Sequence, residues 1–221
     1  SLNYFADQEN DETLSWICLR CYNSKCTRSF VELRKRLHPW IAMTLVDVGE
    51  QISYRRFVSK SDKEPKLLAL KDEVTKSLRG LNFDVRPEQP LGEESQSNGV
   101  SERAVQNCEG LAEALKATVE KNYNITLNSE YPMLDWIVQH VGTLLGGCEL
   151  SSDGKTAYYK LRGKPYKPKR PGIGEAVEYL PLGKQKSGME TKNELANFYE
   201  LSIFGGIKKG SNEFFGGKSR D

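Results

Sequence analysis

At 221 residues the chain has room for one sizeable α/β domain of about 150 residues and a smaller appendage. Hydrophobic residues make up 38% and charged residues 28%, too apolar for general disorder, and a net charge of +2 selects no partner by itself. No apolar run approaches the roughly 18 residues of a membrane span, so no membrane partner is expected. Five cysteines, an odd number set in apolar segments, suit free thiols in a reducing, intracellular compartment better than a disulfide framework. Cys18, Cys21 and Cys26 invite a zinc reading, but no second ligand pair stands at finger spacing, and His38 and His140 are the only histidines.

Taken in chain order, residues 1–5 can supply a strand beside a β-hairpin formed by residues 14–21 and 25–33 around Tyr22, Asn23 and Ser24. Trp40, Ile41, Leu45 and Val48 fall at helical spacing behind Pro39, which predicts a helix over 39–49. Residues 54–60 read as a strand. Leu67, Leu68, Leu70 and Val74 predict a helix over 65–79, opening after Ser61, Asp62 and Glu64. A short strand at 82–85 precedes a polar loop over 86–98. Val100, Ala104, Cys108, Leu111, Leu115 and Val119 then keep one apolar stripe along a helix over 98–122, with Ser97 as its N-cap. Residues 131–145 give another helix. Between Lys155 and Gly174 lie seven basic residues and no acidic one, with Pro165, Pro168 and Pro171 stiffening what reads as an extended linker. Segments 175–182 and 196–207 read as strands of a small, incomplete β-module. The expected fold class is α/β: a mixed five-stranded sheet within residues 1–87, flanked by helices, with a small β-rich C-terminal extension.

Three positions draw attention for chemistry: Asn3 in the first strand, Asp62 just past a strand, and Glu102 in the first turns of the long helix. Taken singly, an acidic residue at such a place is most often a cap or a solvated charge. The surroundings change that weighting. Gln96-Ser97-Asn98-Gly99-Val100-Ser101-Glu102-Arg103 resembles the integrase signature in which a Gln-Ser-Asn-Gly turn enters a helix bearing a catalytic glutamate. Lys60-Ser61-Asp62-Lys63-Glu64-Pro65 resembles the second signature, an aspartate closing a strand. Thirty-nine residues separate Asp62 from Glu102, a few more than the retroviral pattern, and the polar loop can hold the excess. Asp153 to Lys164 and Ser202-Ile203-Phe204-Gly205-Gly206-Ile207 are similar to the post-core and C-terminal segments of copia-type retrotransposon polyproteins.

The resemblance to the retrotransposon and retroviral integrase catalytic core implies a ribonuclease H-like fold. It divides the chain into a core at 1–125, a helical extension and basic linker at 126–174, and a β-rich module at 175–221. It implies a triad of Asn3, Asp62 and Glu102 in which Asn3 stands where the family has aspartate, with Asp62 and Glu102 as the metal ligands. Two-metal phosphoryl transfer needs hard, charged oxygen ligands. An amide at position 3 leaves Mg2+ or Mn2+ weakly held and strand transfer impaired. Asp7, Asp11 and Glu12 follow the strand in what reads as a polar turn and are expected to point away from such a site. Asn98, Arg103, Lys160, Arg162, Lys164, Lys167, Lys169 and Arg170 are the candidate nucleic-acid contacts. The expected partners are DNA and a second copy of the chain, in the nucleus where the integrase role is retained. Gly146 and Gly147 depart from the family's Asn-Arg pair after the core. Two rival readings are an active metal-dependent integrase and a non-catalytic protein-interaction module with the basic run as a solvated spacer. Trp16, Trp40 and Trp136 read as core residues rather than base-stacking platforms, His38 as a helix-start or surface residue, and His140 as a core or boundary histidine.

Overall fold

The computed structural model describes residues 2–6, 13–31, 39–51, 54–61, 65–88, 95–129, 131–167, 171–179, 200–207 and 214–217. Strands β1 (Leu2–Ala6), β2 (Thr13–Arg20) and β3 (Thr27–Val31) form an antiparallel sheet in that order. The β2–β3 turn is tight: Lys25 takes a φ of 62°, its N–H donates to the Cys21 carbonyl, and the Cys21 N–H donates to the Cys26 carbonyl.

Helix α1 (Pro39–Gln51), strand β4 (Arg56–Ser59), helix α2 (Pro65–Gly80) and strand β5 (Asp84–Pro87) follow. β4 and β5 pair in parallel through the α2 crossover. Asn82, at φ 63°, turns the chain out of α2, and the Phe83 N–H returns to the Leu78 carbonyl to close the helix end. The five strands expected before residue 88 are present and mixed in direction. They divide into a three-stranded and a two-stranded sheet, and no ladder joins the two among the described residues. β4 and β5 are four residues each, enough for one ladder between them.

The pleat assigns the layers. Cross-strand pairs Asn3–Trp16 and Trp16–Val31 lie on one face, and Leu2–Ile17 and Ile17–Phe30 on the other. Ile17 packs with Ala42 of α1 and with Leu67 and Leu70 of α2. Trp16, Cys18 and Val31 pack with Ala104, Cys108 and Ala112 of helix α3 (Ser95–Tyr123) and with Ile137, Val138 and Val141 of helix α4 (Pro132–Cys148). The result is helices, sheet, helices, with the largest core between the sheet and the α3–α4 pair.

α4 sits close to β3 because it carries glycine where the two meet. A Cβ at Gly142 would stand 2.6 Å from the Ser29 backbone nitrogen. Ser29 Oγ donates to the Val138 carbonyl and accepts from the Gly142 N–H at 3.0 Å, so this buried hydroxyl is satisfied by α4 itself. On its other side α4 meets the C-terminal sheet of β6 (Ala176–Tyr179), β7 (Glu200–Ile207) and β8 (Phe214–Gly217). There Trp136 fills the space that Cβ atoms at Gly205 and Gly217 would occupy, and His140 meets Phe204 edge to face at 6.2 Å. Strand β8 was not anticipated from the sequence.

Two expectations are corrected. The basic run is not extended throughout, because Ala157–Arg162 forms helix α5. Thr156 caps it by accepting from the Tyr159 N–H, and Gly163, at φ 67°, ends it in the left-handed conformation. Ser97 is not an N-cap, because α3 already begins at Ser95.

Candidate functional site

Position 3 lies in the middle of β1, opposite Trp16. Trp16 is 1% exposed and packs among α3 and α4 residues, so register puts position 3 on the sheet face that α3 covers. Glu102 is on α3, two residues before Ala104, which is buried against the sheet. Helical geometry turns Glu102 away from that seam, and its side chain is exposed, with no hydrogen-bond or ion-pair partner among the described residues. Asp62 lies outside the described residues, three positions past the C-terminal end of β4. Asn98 falls in the first turn of α3, and Arg103 is exposed beside Glu102.

Among the described residues no three His, Cys, Asp or Glu side chains converge on a common point that could hold a metal ion. An exposed, unpaired carboxylate such as Glu102 suits a hard divalent cation. The amide at position 3 is a neutral oxygen donor. Among the described residues these donors do not assemble a metal site.

The basic residues are not equivalent. Lys160, on α5, is paired with Asp153 at 3.1 Å and is largely covered, with 20% of its side chain exposed. Arg162, Lys164 and Lys167 are exposed, while Lys169 and Arg170 lie outside the described residues. Tyr166, between the last two exposed lysines, packs its ring where a Cβ at Gly147 of α4 would stand, and it meets Tyr158 of α5 at 4.9 Å between ring centroids. Gly146 and Gly147 thus have a packing role, since α4 passes close to Arg28 at one and to Tyr166 at the other. Trp16 and His140 are core residues and Trp136 is half-buried against the core. The side chain of Trp40 and residue His38 lie outside the described residues.

Two features escaped the sequence reading. Arg20 grips Glu149 with two bonds, of 2.7 and 3.1 Å, while Asn107 donates to the same carboxylate at 3.1 Å, so β2, α3 and the end of α4 share one polar lock. Cys18 of β2 and Cys108 of α3 meet with their sulfurs 3.6 Å apart. The Arg20–Glu149 and Cys18–Cys108 contacts join residues 129 and 90 positions apart, and nothing local announces them.

No known protein family and no curated protein matches the sequence. Solved structures do. The chain is similar to the catalytic core domain of BIV integrase, at 14% identity over 72% of this chain and 90% of that one, with a TM-score of 0.47. It is similar to a chain of the simian T-cell lymphotropic virus intasome in complex with PP2A regulatory subunit B56 gamma, at 12% identity over 92% of this chain and 66% of that one, with a TM-score of 0.52. It is also similar to the HTLV-2 integrase catalytic core domain in complex with magnesium in its dimeric form, at 12% identity over 74% and 92%, with a TM-score of 0.45. The intasome match, which spans nearly the whole chain, carries the comparison. The fold resembles that of the matched intasome chain. Among the described residues no helix is long and apolar enough to cross a membrane.

Proposed function

We propose that the chain is an integrase-derived DNA-binding domain of a retrotransposon polyprotein whose strand-transfer chemistry is impaired at Asn3. One observation carries this reading: the helix bearing Glu102 packs on the very sheet face to which strand register assigns position 3. In this reading Asp62, three positions past the end of β4, completes the site. Asp62 and Glu102 would hold Mg2+ or Mn2+ weakly, and Asn3 would offer only a neutral amide oxygen. When bound as a pair, such ions activate an attacking hydroxyl and stabilise a leaving oxygen in phosphoryl transfer. Glu102 contributes charge to that site, while Asn98, Arg103 and the exposed cations after α5 hold the DNA backbone.

The test is Asn3→Asp, nearly isosteric and adding one carboxylate. Three clustered carboxylates repel one another without metal. The variant should melt below wild type in chelator, gain more from added Mg2+ or Mn2+, and nick a DNA duplex that wild type leaves intact. Nicking by wild type at the variant's rate would favour the active-enzyme reading. Equal metal stabilisation of both proteins would remove Asn3 from the site.

A further inference from the structure

Two thiols from different layers of the fold meet in the main core. Cys18 on β2 is 8% exposed and Cys108 on α3 is fully buried, and their sulfurs share a hydrogen bond at 3.6 Å. None of the five cysteines is in a disulfide, and Cys21 and Cys148 are the more accessible ones. A covalent bond needs the two sulfurs to close from 3.6 Å to about 2.05 Å, by side-chain rotation together with a small shift of α3 against the sheet. From this juxtaposition we propose that Cys18 and Cys108 form a reversible disulfide under hydroperoxide, fastening α3 to the sheet.

The contact itself divides the labour between the thiols. The hydrogen bond from Cys108 draws Cys18 below the usual thiol value against the opposing effect of burial, with the Arg20 guanidinium helping. The same hydrogen bond, with burial behind it, pushes Cys108 far up. Cys18 is therefore the sulfur that attacks. Its thiolate displaces hydroxide from the peroxide O–O bond and becomes a sulfenic acid, and the hydroxide takes a proton to leave as water. Cys108 sulfur then attacks the Cys18 sulfur, the S–O bond breaks, and the departing hydroxide carries off the Cys108 proton as a second water. Two thiols lose two electrons and one peroxide is reduced. The bond joins residues 90 positions apart, a long loop whose closure constrains the unfolded chain. It also anchors α3 to the sheet six residues beyond Glu102. The chemistry does not depend on the integrase-like reading.

The experiment treats the folded 221-residue protein with hydrogen peroxide, blocks remaining thiols on unfolding, and maps peptides without reduction. The expected result is a linked peptide pair containing Cys18 and Cys108, a loss of two of the five free thiols, and a melting temperature raised by about 5 °C. Dithiothreitol should reverse all three, and Cys18→Ser should lose the linked pair. The proposal is overturned if Cys18 and Cys108 remain alkylatable at a dose that oxidises Cys148. A link between Cys21 and Cys26 in place of the core pair overturns it equally, as does a Cys18–Cys108 link that lowers the melting temperature. Mapping on wild type decides even where the serine variant does not fold.

Discussion

Asp135 stands in the first turn of α4, where a carboxylate is favoured by the helix dipole, yet it is half-buried against the core. Burial is the stronger influence and lifts its carboxyl above the ordinary value of 3.8. The fold therefore prefers the protonated acid. Below pH 3.8 both folded and unfolded chains carry the proton, and the group costs nothing. As pH rises from there through the raised folded value, the folded chain binds more protons than the unfolded one and stability falls. Asp135→Asn removes the titration while keeping the shape. Urea melts should find the variant more stable than wild type at pH 7, with the gap closing as pH falls through that window. A gap that widens in acid would mean that the ionised carboxylate is stabilised at this place, against the burial argument.

At the scale of elements, the glycines of α4 make the strongest local claim. At Gly142 a methyl group would meet the Ser29 nitrogen at 2.6 Å, Ser29 Oγ at 2.7 Å and Arg28 Cα at 2.9 Å, mostly backbone that cannot turn aside. Gly142→Ala should therefore cost about 1–3 kcal/mol through overpacking, lowering the melting temperature by several degrees. Gly110→Ala on exposed α3, where nothing lies within 4 Å, should instead stabilise by up to about 1 kcal/mol. The opposite signs within one helical pair separate contact from propensity, and two thermal melts read them. The same glycines mark what the sequence could and could not convey. Alternation and helical spacing made β1 to β3, α1, α2 and the body of α3 legible, because each buries one face and repeats it. The caps of α5, Thr156 and Gly163, were visible as residue types but were outweighed by the surrounding run of Lys, Arg and Pro. Gly146 and Gly147 read as departures from a family pattern, since their reason is contact with Arg28 and Tyr166, 118 and 19 residues distant in the chain. Of the candidate site, Glu102 and position 3 were legible as a helix position and a strand position. That position 3 lies on the sheet face covered by the helix bearing Glu102 follows only from the Asn3–Trp16 register.

For the whole molecule, the question is whether the segment after α5 is a DNA-contacting strip or a spacer. Tyr166 lies against Gly147 of α4, so residues 163–167 are held to the core, and Arg162, Lys164 and Lys167 project from a fixed base. Lys160 spends its charge on Asp153. Cations held in this way can meet successive phosphates, and each phosphate neutralised releases counterions, so affinity falls as salt rises. Replacing Arg162, Lys164 and Lys167 together with Ala should weaken binding equally on unrelated duplexes, because phosphate contacts carry no sequence information. The slope of log affinity against log salt should flatten by about 2–3 units if all three reach phosphate. Lys160→Ala should change it less, and Asp153→Asn should strengthen binding by releasing the Lys160 ammonium. Fluorescence anisotropy across a salt series on two DNA sequences measures all of this. A triple variant whose affinity and slope match wild type would make the segment a spacer. A loss confined to one of the two sequences would instead mean that these side chains read bases.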